Sequence, residues 1–534
     1  MRHGTVWQTA LKRAHMLLRM LSARISRFVP FMRGFAYARQ GNVAMIFALS
    51  LVPITVAAGA GLDMSRAMIV RSRLTEALDA AGLAVGGTTG LSQSQMRTMA
   101  QHYFDANFRI DAAFGTPAQV SVAQSGTNIT VSTNVLMPTT LMNVVGYKTM
   151  PINVAITVTK ENKALEVVMA LDNTGSMSGS KISALKSAAK TLIDTLSGGV
   201  AYPDKLKIGL VPFTQTVRID PTDAVNGGWI DTDCKSSVAQ LNFDHGYCGY
   251  TVYKNLLKNG SWYGCVEART NGYAILDTPP SSGTPDTLWD PYFQPDEPDS
   301  GGGWWGSGYS NNYMDDGTVT DSSGKKIKKP SDLQLQNNSN KYNGASANSD
   351  ANGACDNLAP VLPLTNDTAQ VKNRIDAMNA SGSTHIVLGA AWGWRVLSPG
   401  EPYSQGASYS DEDTNKALIL MTDGENTVSN QNTMNGSRYS AFGYLSQGRL
   451  GTTSSTSTAE STLDTMLTDV CTNIKAKGIR IYTIGFQINT SNVLNLLRNC
   501  ASDPSLFYNS PSTSDLQAAF SAIAADLSNL RVSK

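Results

Sequence analysis

Several common catalytic motifs are missing from this sequence. It has only five histidines, and none stands in a recognisable Ser-His-Asp arrangement. The stretch "LDNTGSMSGSK" contains neither G-x-S-x-G, since Gly175 and Gly179 bracket Met177, nor a phosphate-loop pattern. Ser178 to Lys181 match S-x-x-K, but the companion SDN and KTG motifs are absent. We therefore expect no catalytic nucleophile here and predict that the protein is not an enzyme.

Acidic residues are absent from residues 1–42, which carry eight lysines or arginines. The rest of the chain has seven more acidic than basic side chains, so the net charge of +1 conceals a strong asymmetry. Residues 11–35 mix basic and apolar side chains. They could form an interfacial helix on an anionic leaflet or a disordered basic tail.

Charge of either sign is absent between Gln40 and Leu62. The run of about twenty apolar residues from Val43 to Leu62 is long enough to cross a bilayer as a helix. It is longer and begins later than a cleaved signal peptide. The basic flank predicts a cytoplasmic N-terminus and export of everything after Asp63, to the periplasm or the cell exterior. We expect a single-pass protein of the inner (cytoplasmic) membrane.

No cysteine forms a C-x-x-C pair, so structural zinc is not expected. All six cysteines follow the apolar run, where an oxidising compartment would permit disulfides. Cys471 and Cys500 flank one strand-like and one helix-like segment, and we expect them to pair. The other four cysteines allow three pairings, between which the sequence does not choose: Cys234, Cys248, Cys265 and Cys355.

Two kinds of periodicity follow the apolar run. In residues 63–160, helical spacing is followed by alternating strands, which predicts a small α+β region. From residue 161, short and almost continuously apolar strands are separated by helical segments, which is typical of a doubly wound parallel α/β sheet. Residues from about 220 to 360 are rich in Gly, Ser, Asn and aromatics, and we interpret them as a surface insertion partly ordered by disulfides. Residues 161–534 are thus one predicted domain with an insertion.

Oxygen-bearing side chains follow the predicted strands. Asp172, Thr174 and Ser176 occupy alternate positions in the turn after one strand, Asp423 in "TDG" ends another, and Thr384 opens a helix. Hard oxygen ligands suit Mg²⁺, Mn²⁺ or Ca²⁺. The sequence predicts a divalent-ion site if the two strands are adjacent and parallel. Thr384 is the least certain member, because Thr214, Thr216 and Ser383 lie in similar positions.

The D-x-[ST]-x-S, Thr and T-D-G motifs resemble the metal-ion-dependent adhesion site of von Willebrand factor type A domains. The resemblance covers residues 161–219 and 361–534. It implies that the hydroxyls of Thr174, Ser176 and Thr384 approach the ion, and that Asp172 and Asp423 hold it directly or through water. The family usually has serine where this chain has Thr174.

Residues 41 to 84, "GNVAMIFALSLVPITVAAGAGLDMSRAMIVRSRLTEALDAAGLA", resemble the N-terminal segment of TadE/TadG-like proteins of Flp (tight-adherence) pilus assembly. Long members of the TadG kind join this segment to a type A domain. Pseudopilin relatives usually carry Glu five residues after a processing glycine, whereas Ile46 stands at that distance from Gly41. A permanent anchor is expected.

Together, these features predict four parts: a basic cytoplasmic segment (1–42), a transmembrane helix (43–62), the α+β region (63–160) and the type A domain (161–534). The expected function is metal-dependent binding of a protein partner that supplies an Asp or Glu, within pilus assembly. A surface adhesin using the same site and a metal-free envelope scaffold are the alternatives. No nucleic-acid partner is expected.

Overall fold

The computed structural model describes residues 41–88, 91–109, 114–125, 128–159, 163–198, 200, 202–299 and 309–530. The chain divides into two compact units, Met1–Lys160 and Glu161–Lys534. The predicted interfacial helix or tail of residues 11–35 lies outside the described residues.

The described part of the first unit begins with helix α1 (Gly41–Gly86), which is 46 residues long. From Val43 onward it is long and apolar enough to cross a membrane, the one such helix among the described residues. Pro53 lies inside it, which a membrane helix tolerates when the freed carbonyl finds another partner. The helical spacing that follows Asp63 predicts that one helix runs on past the apolar run, and the structure confirms it.

The remainder of the first unit packs on the second half of α1. It comprises helix α2 (Gln93–Asn107) and an antiparallel sheet in the order β1-β2-β3. Leu74 and Leu78 of α1 are fully buried in the core of this unit. The strands are β1 (Ser121–Ser125), β2 (Asn128–Pro138) and β3 (Thr149–Thr159).

The second unit is built on a six-stranded sheet. Its strands are β4 (Ala164–Asp172), β5 (Leu206–Phe213), β8 (Leu362–Thr365), β9 (Thr414–Thr422), β10 (Arg480–Phe486) and β11 (Phe507–Ser510), in the order β11-β10-β9-β4-β5-β8. All neighbouring strands are parallel except the edge pair β5 and β8. The strands β6 (Val217–Arg218) and β7 (Cys265–Val266) form a separate antiparallel ribbon.

Helices cover both faces of this sheet, because its strands are apolar on both sides. Val168 and Ala170 of β4 face one core, while Val167 and Met169 face the other. The helices are α3 (Ser180–Ser197), α4 (Thr368–Asp376), α5 (Ile386–Leu397), α6 (Thr456–Ala476), α7 (Ser491–Cys500) and α8 (Thr513–Leu530). The predicted α/β fold with a doubly wound parallel sheet is confirmed.

The inserted residues are more ordered than the sequence indicates. Trp289 of the insertion packs against Trp392 of α5, with ring centroids 4.9 Å apart, and both belong to the core on that face of the sheet. The insertion therefore extends a core instead of covering a surface. Its helical turns are short: Pro221–Asn226, Gly249–Thr251, Asp332–Gln336 and Asn348–Ala351.

The disulfides complete this picture. The predicted Cys471–Cys500 pair is present, and the four cysteines left open pair as Cys234–Cys248 and Cys265–Cys355. The latter closes a loop of 90 residues, which contains most of the insertion.

The start of α8 differs from what its sequence predicts. The spacing of Ser514 and Gln517 predicts a capping box, but the reciprocal bonds join Ser512 and Asp515. The first helical turn offers its free N–H groups two residues earlier, directly after Pro511.

Candidate metal centre

Asp172 lies at the carboxyl end of central strand β4 and is fully buried. Its Oδ1 accepts a hydrogen bond from the Thr174 backbone N–H at 2.8 Å, and its Oδ2 accepts one from the Thr422 hydroxyl at 2.6 Å. Thr422 ends β9, the parallel neighbour of β4. The adjacency that a shared site requires is therefore present.

Asp423 follows β9 directly and joins the same cluster. The Ser176 hydroxyl donates to Asp423 Oδ1 at 2.6 Å, and the Thr174 and Ser176 hydroxyl oxygens lie 3.0 Å apart. The Lys181 ammonium donates to the other oxygen, Asp423 Oδ2, at 2.7 Å. One end of this carboxylate thus faces the hydroxyls and the other faces a cation.

Thr384 approaches from a third loop, which precedes α5. Its hydroxyl oxygen lies 3.9 Å from where a side chain at Gly424 would begin. The loop is fixed to the first motif, since the Gly175 N–H donates to the Gly382 carbonyl at 3.0 Å. Gly382 has a φ of +78°, and a side chain there would collide with Gln215 Oε1, which accepts from the Ser383 N–H at 2.7 Å.

The other candidate hydroxyls have partners elsewhere. Thr216 donates to the Val266 carbonyl at 2.8 Å, and Thr214 contacts the Thr216 carbonyl at 3.4 Å. Ser383 pairs with the Ser429 hydroxyl at 3.0 Å. These contacts favour Thr384 as the third hydroxyl.

An open pocket of about 460 Å³ borders the cluster, with Ser176, Thr384 and Asp423 in its lining. A second cavity of about 420 Å³ shares Gly382 and Ser383 with it. That cavity is lined from the insertion and from the loop after β9, by Gln294, Glu297, Asn311, Arg438, Tyr439 and Tyr444. Both long loops therefore border the site.

The donor set suits a hard divalent cation, because it combines two carboxylates with three hydroxyls. The described residues contain no group of three His, Cys, Asp or Glu arranged for metal binding, so the hydroxyls would have to take part. Burial and the nearby Asp423 charge raise the pKa of Asp172 to about 6, against hydrogen bonds from Thr174 and Thr422 that lower it. Two close carboxylates repel each other, and a divalent cation between them would remove that repulsion.

Binding of a divalent ion should therefore depend on pH. In the metal-free fold Asp172 is mostly protonated below about pH 6, whereas its ordinary pKa is about 3.8, so this group's contribution to stability falls as pH rises from about 4 to about 6. The ion needs the ionised form. We expect Mg²⁺ affinity to be nearly constant above that range and to fall about tenfold per pH unit below about 6. Calorimetric titration across this range checks the prediction, and a constant affinity would contradict it.

Sequence reasoning missed three residues of this site. Thr422 stands within the quoted T-D-G motif, but only the register of β4 and β9 assigns its hydroxyl to Asp172. Lys181 was visible only as the end of an S-x-x-K match. Gln215, which positions the Gly382 loop, carried no sequence signal at all.

The comparisons with known proteins agree with the resemblance of the N-terminal segment to TadE/TadG-like proteins. Residues 41–88 match the family described as putative Flp pilus-assembly TadE/G-like. No curated protein is significantly similar to the chain.

Solved structures similar to the chain include pilus proteins and a type A domain. The pilus adhesin SpaC of Lactobacillus rhamnosus GG is 12% identical, with a TM-score of 0.31, over 77% of this chain and 34% of that one. The von Willebrand factor domain of the type V pili tip protein Mfa5 of Porphyromonas gingivalis is 11% identical, with a TM-score of 0.32, over 70% and 97%. A von Willebrand factor type A protein of Catenulispora acidiphila is 12% identical, with a TM-score of 0.27, over 79% and 51%. This chain spans about a third of the length of SpaC.

Residues 41–88 therefore carry a TadE/G-like segment of the Flp pilus-assembly kind, joined in one chain to an α/β domain with a doubly wound parallel sheet.

Proposed function

We propose that the chain acts in pilus assembly by anchoring a metal-dependent protein-binding domain to the membrane. Helix α1 would hold it in the inner (cytoplasmic) membrane with residues 1–42 in the cytoplasm, and the α/β domain would be exported. The observation that carries the proposal is the meeting of side chains from three separate loops at one sheet edge, in a chain with a TadE/G-like segment.

Each proposed ligand has a defined part. Asp172 and Asp423 would supply the charge that holds Mg²⁺, Mn²⁺ or Ca²⁺, directly or through water. The hydroxyls of Thr174, Ser176 and Thr384 would complete the protein's share of the ligands. Because the pocket is open to solvent and lined by Ser176, Thr384 and Asp423, an Asp or Glu of a partner protein could reach the ion there. The bound ion supplies the attraction between the two proteins.

Co-purification from cells that make the pilus tests the proposal. The chain should retain its partner in Mg²⁺ and lose it in chelator, and Asp172→Ala should lose it in both. Asp469→Ala is the matched control, since this acidic residue is exposed on α6 of the same domain. Binding that survives both chelator and Asp172→Ala would remove the metal from the mechanism and leave the scaffold alternative.

The second cavity favours a surface adhesin as the other candidate. It places Arg438, Tyr439 and Asn311 beside the proposed ion site, where they could contact a ligand that reaches the metal. Antibody labelling of the insertion on intact cells distinguishes the surface adhesin from the pilus-assembly protein. Strong labelling favours the adhesin, and labelling only after the envelope is opened favours assembly.

A further inference from the structure

The loop that joins β2 to β3 exposes a cluster of apolar side chains. Within this loop, residues 139–148, the exposed fractions are 43% for Leu141, 84% for Val144, 44% for Val145 and 65% for Tyr147. Residues Met142–Val145 form a single 3₁₀ turn, so these side chains project from a compact tip. Single exposed apolar residues are ordinary, but four within seven positions mark a contact surface.

Asp63 of α1 holds this loop in place. Its carboxylate accepts hydrogen bonds from the backbone N–H groups of Thr140 at 2.9 Å, Leu141 at 3.0 Å and Met142 at 2.9 Å. Asp63 is fully buried, and Arg66 lies 3.5 Å from the same carboxylate. The three N–H groups of the loop and the Arg66 guanidinium together satisfy the buried charge.

The contact between Leu141 and Gly59 fixes the position of the loop along α1. A side chain at Gly59 would begin only 2.6 Å from the Leu141 Cβ, so glycine allows the loop to lie directly against the helix here. The contacts at Gly59 and Asp63 fix the loop to the last turn of the apolar run.

That turn lies at the edge of the predicted span. Twenty helical residues from Val43 to Leu62 cover about 30 Å, the thickness of the hydrocarbon layer. Asp63 is the first charged residue after them. The loop therefore lies at the depth of the lipid headgroups, where Tyr147 and the exposed Lys148 have the chemistry of interfacial anchors.

We infer that the β2–β3 loop is a second membrane-binding element, which inserts its apolar tip into the leaflet from which α1 emerges. The ligand is the boundary between lipid headgroups and acyl chains. Two attachment points would fix the rotation of α1 and hold the three-stranded sheet at a set height above the bilayer. The inference rests on the membrane span of the proposed function and is independent of the metal site.

Site-specific fluorescence quenching tests this inference on the full chain. All six native cysteines are in disulfides, so Val144→Cys adds a single reactive thiol for an environment-sensitive dye. The labelled chain is reconstituted in phosphatidylethanolamine and phosphatidylglycerol vesicles that contain headgroup spin-labelled lipid. We expect quenching at position 144 to exceed, severalfold, quenching at Ala123→Cys. Ala123 is exposed and pairs with Thr130, about 27 Å along β2 from the loop.

Three further arms interpret the result. Ile54→Cys, inside the span, should be quenched by acyl-chain spin labels whenever α1 is inserted. Quenching at 54 with none above the control at 144 would overturn the inference while leaving the anchor intact. A blue-shifted but unquenched dye at 144 would mean that protein covers the loop, and would also overturn it. Asp63→Asn should lower quenching at 144 and not at 54, and an unchanged signal would overturn the role given to Asp63.

Discussion

The Asp423→Asn variant is expected to bind Mg²⁺ at least about a hundredfold more weakly than the unaltered chain. Asparagine keeps the shape of the side chain and can still accept from Ser176, but it removes one of the two charges that would attract the ion. Opposite charges in contact at a partly buried site attract by several kcal/mol, and a hundredfold loss corresponds to about 2.8 kcal/mol. Titration calorimetry on the purified chain measures the change.

A second property of the same variant separates loss of a ligand from misfolding. The Asp423 charge helps to raise the pKa of Asp172, so its removal relieves that repulsion, but it also removes the ion pair with Lys181. Because the two effects oppose each other, the stability of the metal-free protein at neutral pH should change little. Weaker ion binding together with a clear fall in metal-free stability would contradict this explanation.

The Lys181→Met variant should have the opposite effect on Mg²⁺ affinity, because it removes a positive charge from the site. Lys181 donates to Asp423. Its ammonium lies 2.7 Å from Asp423 Oδ2, where it repels an incoming divalent ion and competes for the carboxylate. Removing it should raise Mg²⁺ affinity severalfold. Weaker binding in both variants would show that the cluster needs Lys181 for its shape.

The clustering of the predicted site residues could be predicted from the sequence because each part is local. Asp172, Thr174 and Ser176 follow one apolar run, and Asp423 follows another. Only the strand order was needed to join them, and a doubly wound sheet leaves few choices for it. Thr384 was less certain because its position depends on Gln215 and on the Gly175–Gly382 bond, which connect residues far apart in the chain.

The insertion could not be predicted in the same way. Its composition resembles that of a loop. Its ordered structure depends on contacts between residues far apart in the chain, and such contacts leave no periodic pattern in the sequence. Glu267 contacts Tyr439 and Arg449 of the loop after β9, and Trp289 packs on α5. Two disulfide partners 90 residues apart cannot be chosen from spacing alone.

The Lys341→Met variant is expected to lose about 3–5 kcal/mol of stability. The Lys341 ammonium donates to the Asp296 carboxylate at 2.9 Å, to the Asp296 carbonyl at 2.8 Å and to the Leu335 carbonyl at 3.1 Å. Both side chains of the ion pair are fully buried. Methionine fills similar space but leaves a buried carboxylate without its counter-charge. Denaturant unfolding of the purified chain measures the loss.

Two comparisons identify the cause of that loss. Lys329→Met, at an exposed position of the insertion, should change stability by less than about 0.5 kcal/mol. The double variant with Asp296→Asn should recover part of the loss, because it also removes the stranded charge. Trp289 joins the insertion to the core beneath α5. The Lys341→Met variant should therefore lower the denaturant concentration at which the sheet itself unfolds. A separate early transition, with the sheet unaffected, would instead mean that the insertion folds independently of the six-stranded sheet.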